Sequence, residues 1–222
     1  MRARQMAQRL NLKEGAALEI AHEAGIEADF GYRPEAARAA TAALAISRGQ
    51  GVVYSAARAL ALAGEASKAE TLIAELAKGH PEDLIVQSVQ APEVKAINEI
   101  NRGNPAKAIE LLQAATPYDA GDFRVRYTRG KAYLRAGKAT EAAQEFQRLL
   151  VLRNAYLPIP SFSLAMPVPA SLAQLGLARA YALQGDKAKS RMAYQDFFSL
   201  WKDADPDIPT LKQAKAEYAK LE

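Results

Sequence analysis

The side chains that could do chemistry in this chain are few. There are two histidines, His22 and His80, and no cysteine, so disulfides, thiolate metal sites and cysteine nucleophiles are excluded. His80 sits in "GHPED" beside Pro81, where a polar surface residue is expected. His22 has Glu19 and Glu23 nearby but no second histidine within helical reach, and a metal centre needs three or four convergent ligands. Serine hydrolysis would call for a nucleophile elbow, and the sequence contains none. Phosphoryl transfer would call for a glycine-rich phosphate loop with H-R-D and D-F-G motifs, or a Walker A lysine. None of these is present. The expectation is a chain that is not an enzyme and holds no cofactor and no metal.

Binding chemistry is the alternative, and composition limits its form. Half of the 222 residues are hydrophobic but only 7% are aromatic, because alanine carries much of the apolar count. Small side chains let helix backbones approach closely. The net charge is +4 with a pI near 9.2, and the cations are dispersed rather than gathered in a tail. That pattern reads as a solvated surface and not as a nucleic-acid footprint. No run approaches the ~18 apolar residues of a membrane span, and the basic N-terminus "MRARQMAQRLNLKEG" lacks the apolar stretch of a signal peptide. No nucleic acid and no membrane insertion is expected. The cytoplasm is the default compartment.

The elements that position any binding residues are marked by glycines. Gly31, Gly64, Gly103, Gly137 and Gly185 each separate two helix-like patterns, at spacings of 33, 39, 34 and 48 residues. Seven residues before them lie the small residues Ala24, Ala57, Ala96, Gly130 and Ala178. Five residues after them lie Ala36, Ala69, Ala108, Ala142 and Ser190. Only small side chains fit where two antiparallel helices cross. Nine residues after them, Ala40, Ile73, Leu112, Phe146 and Tyr194 supply mostly large apolar plugs. Tyr133 and Tyr181 stand four residues before their glycines, and Pro81 stands where a second helix should end.

Five such units in phase resemble the tetratricopeptide repeat family, whose period is 34 residues. The expected units are residues 17–49, 50–83, 89–121, 123–156 and 171–204. No copy carries the family's early tryptophan, and Glu27, Leu60 and Glu99 replace the helix A tyrosine. The final segment, "LGLARAYALQGDKAKSRMAYQDFFSLWKDADPDIPTLKQAKAEYAKL", is similar to the C-terminal arrays of bacterial serine/threonine protein kinases of the eukaryotic type. The segment "GNPAKAIELLQAATPYD" fits the same group. The resemblance implies an all-α fold, a right-handed superhelix of about five helical hairpins forming a single array over residues 1–222. Residues 207–222 are expected to form a capping helix, with Asp207 as its N-cap, Pro209 in its first turn, and Leu211, Ala214, Tyr218 and Leu221 on its buried face.

In that family the first helix of each hairpin lines an inner groove, and the positions six and ten before the turn glycine point into it. Six before stand Arg58, Ile97, Lys131 and Arg179; ten before stand Tyr54, Glu93, Tyr127 and Leu175. The first copy offers only Gly25 and Ala21. Arg58, Lys131, Arg179, Tyr54 and Tyr127, together with Arg135, are the candidate partner-binding residues. Such cations beside tyrosines would suit an acidic or C-terminal peptide through charge-assisted hydrogen bonds. The family's carboxylate clamp places a lysine and an asparagine here, so chaperone-tail binding is not implied.

Two further segments stand out. Residues 157–169, "LPIPSFSLAMPVP", form a proline-rich insert expected to fold back over the repeat seam or to reach a partner. Trp201, with Phe197 and Phe198 before it, is expected to pack the last hairpin against the capping helix. The functional expectation is a protein-binding module of a bacterial signalling protein. The rival is a sensor that closes its groove over a small solute. A membrane-spanning parent kinase would place the array outside the cytoplasm.

Overall fold

The computed structural model describes residues 2–118, 122–156 and 167–221. Among the described residues the chain is all-α, with no strand. The helices are α1 (Arg2–Phe30), α2 (Arg33–Ile46), α3 (Gln50–Ala63), α4 (Ala66–Gly79), α5 (Ala91–Asn101), α6 (Pro105–Ala115), α7 (Phe123–Arg135), α8 (Ala139–Tyr156), α9 (Pro167–Leu183), α10 (Lys187–Leu200) and α11 (Pro209–Tyr218). A π-helical segment, Val86–Gln90, leads directly into α5. None of the helices is long and apolar enough to cross a membrane among the described residues.

The five marker glycines are the turn residues. Gly31, Gly64, Gly103, Gly137 and Gly185 have φ of 98°, 94°, 82°, 74° and 78°, and no other described residue has positive φ. A side chain there would crowd the following carbonyl at roughly 1–2 kcal/mol. The positive φ bends the chain so that the next residue's N–H reaches back to close the helix. Lys138 donates to the Tyr133 carbonyl at 2.9 Å and Asp186 to the Tyr181 carbonyl at 3.0 Å. These six-to-one bonds satisfy carbonyls that a helix end would leave bare.

The repeat positions pack as their sizes dictate. Ala24, Ala57, Ala96, Gly130 and Ala178 are all buried, as are the five small residues after the turns and the five plugs. Phe146 shows why glycine is needed where it fills the interior. A Cβ on Gly130 of α7 would come within 2.7 Å of its ring, and one on Gly176 of α9 within 2.5 Å. The α7, α8 and α9 backbones close around a single phenyl group.

The chain divides into two compact units, Met1–Asn98 and Glu99–Glu222. In the first unit, α1 packs on α2 and α3, α2 on α3, and α3 on α4. Its core gathers Val52, Leu60, Ile73 and Val86 amid many alanines. In the second unit, α6 through α10 each pack on the next helix, α7 also packs on α9, and α10 meets α11.

Two expectations change in detail. Of the proline-rich tract, residues 157–166 lie outside the described residues. Pro167 and Pro169 instead belong to the first turn of α9, where a proline's missing N–H costs nothing. Asp207 does not cap α11: Ile208 holds that position without a side-chain bond, and Asp207 pairs with Lys212 at 2.7 Å. Pro209 opens α11 as expected, and Leu211 and Ala214 are buried. Trp201 is buried and lies 4.9 Å from the Phe197 ring. Ring contacts between α10 and α11 include those of Tyr194 and Phe198 with Tyr218, at 5.8 and 5.6 Å.

Candidate functional site

In the first unit the groove candidates are interior residues. Arg58, on α3, keeps only 6% of its side chain exposed. Its Nε donates to Glu93 Oε1 of α5 at 3.1 Å and its Nη2 to Asp29 Oδ2 of α1 at 3.3 Å. The Tyr54 hydroxyl donates to the other oxygen of Glu93. Burial alone would push the Arg58 pKa down; Asp29, Glu93 and Tyr54 more than reverse this and leave it raised. One guanidinium thus ties together α1, α3 and α5.

Gly25 makes room for that arrangement. It stands at the same repeat position as Arg58, one hairpin earlier, and a Cβ there would lie 3.3 Å from Arg58 Nη1. The first hairpin gives up a side chain so that the second can insert an arginine.

In the second unit the same position holds Arg179, on α9. Its Nε donates to Glu217 Oε2 of α11 at 2.8 Å, and the Tyr194 hydroxyl donates to the same oxygen at 2.9 Å. Burial opposes its charge, but Glu217 outweighs that and leaves the Arg179 pKa raised, with a contribution from Tyr127. Tyr194 is shifted up as well, by burial first and then by Glu217, with Arg179 opposing. Arg179 Nη2 is buried and has no hydrogen-bond partner among the described residues.

The other candidates surround α7. Tyr127 is buried, with its ring 6.0 Å from Phe146. Lys131 is half-buried, its Nζ 4.6 Å from the centre of the Tyr127 ring. This is a cation–π arrangement. Arg135 is exposed, near the end of the same helix. The structure therefore brings Tyr127, Lys131 and Arg135 together on α7, with Arg179 on the neighbouring α9. Arg58 and Tyr54, expected to face a partner, are buried and committed to Glu93. Burial of a long cation at that depth requires paired carboxylates, and Asp29 and Glu93 provide them.

Several residues escaped the sequence reading. Sequence alone singles out neither Asp29 nor Glu217, which falls outside the buried face expected of the capping helix. Glu93 was noted, but as a groove residue. The available signal was a carboxylate 35 residues after Arg58 and 38 after Arg179, on the next helix of the same kind. A second missed network centres on Glu145 of α8, whose Oε2 accepts from buried Arg129 at 3.1 Å and lies 3.7 Å from Arg126. Arg129 also donates to the Leu112 carbonyl and to Thr116 Oγ1, clipping the α6 end to α7 and α8.

His80 serves the local fold: its Nδ1 lies 3.1 Å from the Leu76 carbonyl in the last turn of α4. Among the described residues, no group of three or more histidine, aspartate or glutamate side chains is placed to hold a metal ion. In the second unit α7 sets Lys131 over the Tyr127 ring, and α9 beside it carries Arg179. No protein-family model matches the chain, and no curated protein matches it in sequence.

Proposed function

We propose that this chain is a non-catalytic protein-binding module of the tetratricopeptide type, wound as a right-handed superhelix of about five hairpins with α11 as its cap. Its place is the regulatory or scaffolding part of a bacterial serine/threonine kinase or related signalling protein, and its partner is an acidic peptide segment. The observation that carries the reading is the repeated register. The same three positions are buried in all five hairpins, and each turn is closed by a positive-φ glycine. Stacked hairpins of this kind leave extended surfaces that suit chains better than small solutes. In the second unit that surface carries Lys131, Arg135 and Arg179.

A direct test uses labelled peptides and fluorescence anisotropy. A Glu/Ser peptide should bind the purified chain and a Lys/Ser peptide should not. Affinity should fall as salt rises, because the Debye length shrinks to ~3 Å at 1 M. Lys131→Glu with Arg135→Glu should remove binding while circular dichroism stays unchanged. Magnesium ATP should give no saturable heat in calorimetry. Absence of any acidic-peptide binding, or tight binding of ATP, would sink the reading.

A further inference from the structure

Helical backbone runs unbroken over residues 84–101, yet Pro92 stands inside it. A proline has no N–H to donate, and in an α-helix its ring meets the carbonyl four residues before, here that of Ser88. Just ahead of the proline the chain widens into the π turn Val86–Gln90. There the Ala91 N–H donates to the Val86 carbonyl, five residues back instead of four. A π turn holds one residue more than an α turn, and such turns are rare inside α-helices.

Both flanks of this turn are pinned to the helices beside it. On the near side, Asp83 accepts from Gln50 Nε2 at the start of α3, at 2.8 Å. Gln87 Nε2 donates to the Ala77 and His80 carbonyls at the end of α4, at 2.7 and 2.9 Å. On the far side, Glu93 accepts from Tyr54 and Arg58 of α3, and Asn98 Nδ2 donates to the Ala66 carbonyl at 3.3 Å. Val86 and Val89 of the turn itself are buried. A proline inside a free helix is relieved by a kink. A helix held at both ends has no room to kink, and an added residue is the remaining way to move carbonyls off the ring.

We infer that the π turn and Pro92 form one register device: the extra residue lets the chain carry a proline while Asp83 stays on Gln50 and Glu93 stays on Arg58. The two features depend on each other. Without the extra residue the proline is not tolerated, and without the proline the extra residue is dispensable. Pro92 is thus a positioning residue for Glu93, its neighbour in sequence. The inference stands apart from the peptide-binding reading above.

The test removes each feature alone and then both together, in the whole chain, read by urea unfolding. Deleting Ser88 alone restores α spacing beneath a proline. It should lower the midpoint by about 1 M or more, the cost of an interior proline set against a typical urea slope. Pro92→Ala alone should move the midpoint by only a fraction of that. Combining the two should recover most of the loss, because an ordinary α turn then joins the same pinned flanks. Adding Arg58→Ala to the combined variant should cost as much as it costs wild type, since Glu93 keeps its place. A deletion that is harmless alone, or equally damaging with and without Pro92→Ala, would overturn the inference. So would a loss from Pro92→Ala as large as that from the deletion, or a combined variant that does not fold.

Discussion

Arg58 and Arg179 hold the same place in their hairpins and are held differently. Arg58 is enclosed, with carboxylates on both sides and a tyrosine hydroxyl on the second carboxylate. Among the described residues Arg179 pairs with one carboxylate, Glu217, and it keeps part of its surface in water. The lesson concerns what a repeat position means. Sequence register fixes which way a side chain points along its row; the residues on the neighbouring helices decide whether it becomes a cross-link or a contact. In the first unit Gly25, Asp29 and Glu93 make it a cross-link. In the second, Arg135 stands two residues before its turn glycine, as Asp29 does in the first, and the arginine stays partly open.

The largest expected effect comes from breaking the enclosed site. Arg58→Ala removes the guanidinium that balances the buried carboxylates Asp29 and Glu93. Removing one partner of a buried pair typically costs about 3–5 kcal/mol, which urea unfolding would show as a large loss in midpoint. A loss below about 1 kcal/mol would mean that the pair is better solvated than its burial indicates.

Gly25→Leu should cost about 1–3 kcal/mol by overpacking against a guanidinium that two carboxylates hold in place. The same substitution at Gly15, where an added Cβ meets nothing within 4 Å, should be nearly neutral. Comparing the two melting curves separates the close approach from any general effect of losing a helical glycine.

Arg179→Ala should cost less than Arg58→Ala, about 1 kcal/mol, because the pair with Glu217 is partly solvated. Salt should reduce that cost in the second unit more than in the first. Equal salt dependence at the two sites would count against the distinction drawn between them.

The smallest effect is set by acid. Asp83 caps the start of the segment leading into α5, where its Oδ1 accepts from the Ile85 and Val86 N–H groups. The Val86 N–H first, and then Gln50, hold its pKa below the ordinary aspartate value of 3.8. A depressed carboxyl stabilises the fold above the unfolded pKa and loses that contribution as pH falls through the folded value. Asp83→Asn should therefore lower stability slightly at neutral pH, where the carboxylate's contribution is present, and converge on wild type as pH falls, so that the acid end of the profile flattens. An unchanged difference between variant and wild type at all pH values would show that the Asp83 charge contributes nothing. The raised pKa values of Arg58 and Arg179 add no such dependence near neutrality, since both stay charged there.

Much of the local architecture was legible in the sequence because it depends on volume and backbone chirality. Gly137 and Gly185 mark turns that only positive φ can make, and Ala142 and Ser190 mark crossings that only small side chains allow. The polar interior was not legible. An arginine at a groove position and an arginine in a buried ion pair are the same letter. The difference lies in Asp29 and Glu93, whose proximity to Arg58 depends on how successive helices stack. Gly25 was read as an empty groove position, when its missing side chain is what admits the guanidinium. Asp207 was read as a cap on residue type alone, but Ile208 takes that position and Asp207 turns to Lys212.

The comparison of the two arginines is tested most directly by a pair of double-mutant cycles, Arg58→Ala with Glu93→Ala and Arg179→Ala with Glu217→Ala, read by urea unfolding of the whole chain. The coupling energy for Arg58 and Glu93 should lie toward the upper end of the ~0.5–3 kcal/mol seen for interacting residues, and that for Arg179 and Glu217 toward the lower end. A coupling at Arg58 no larger than that at Arg179 would contradict the account.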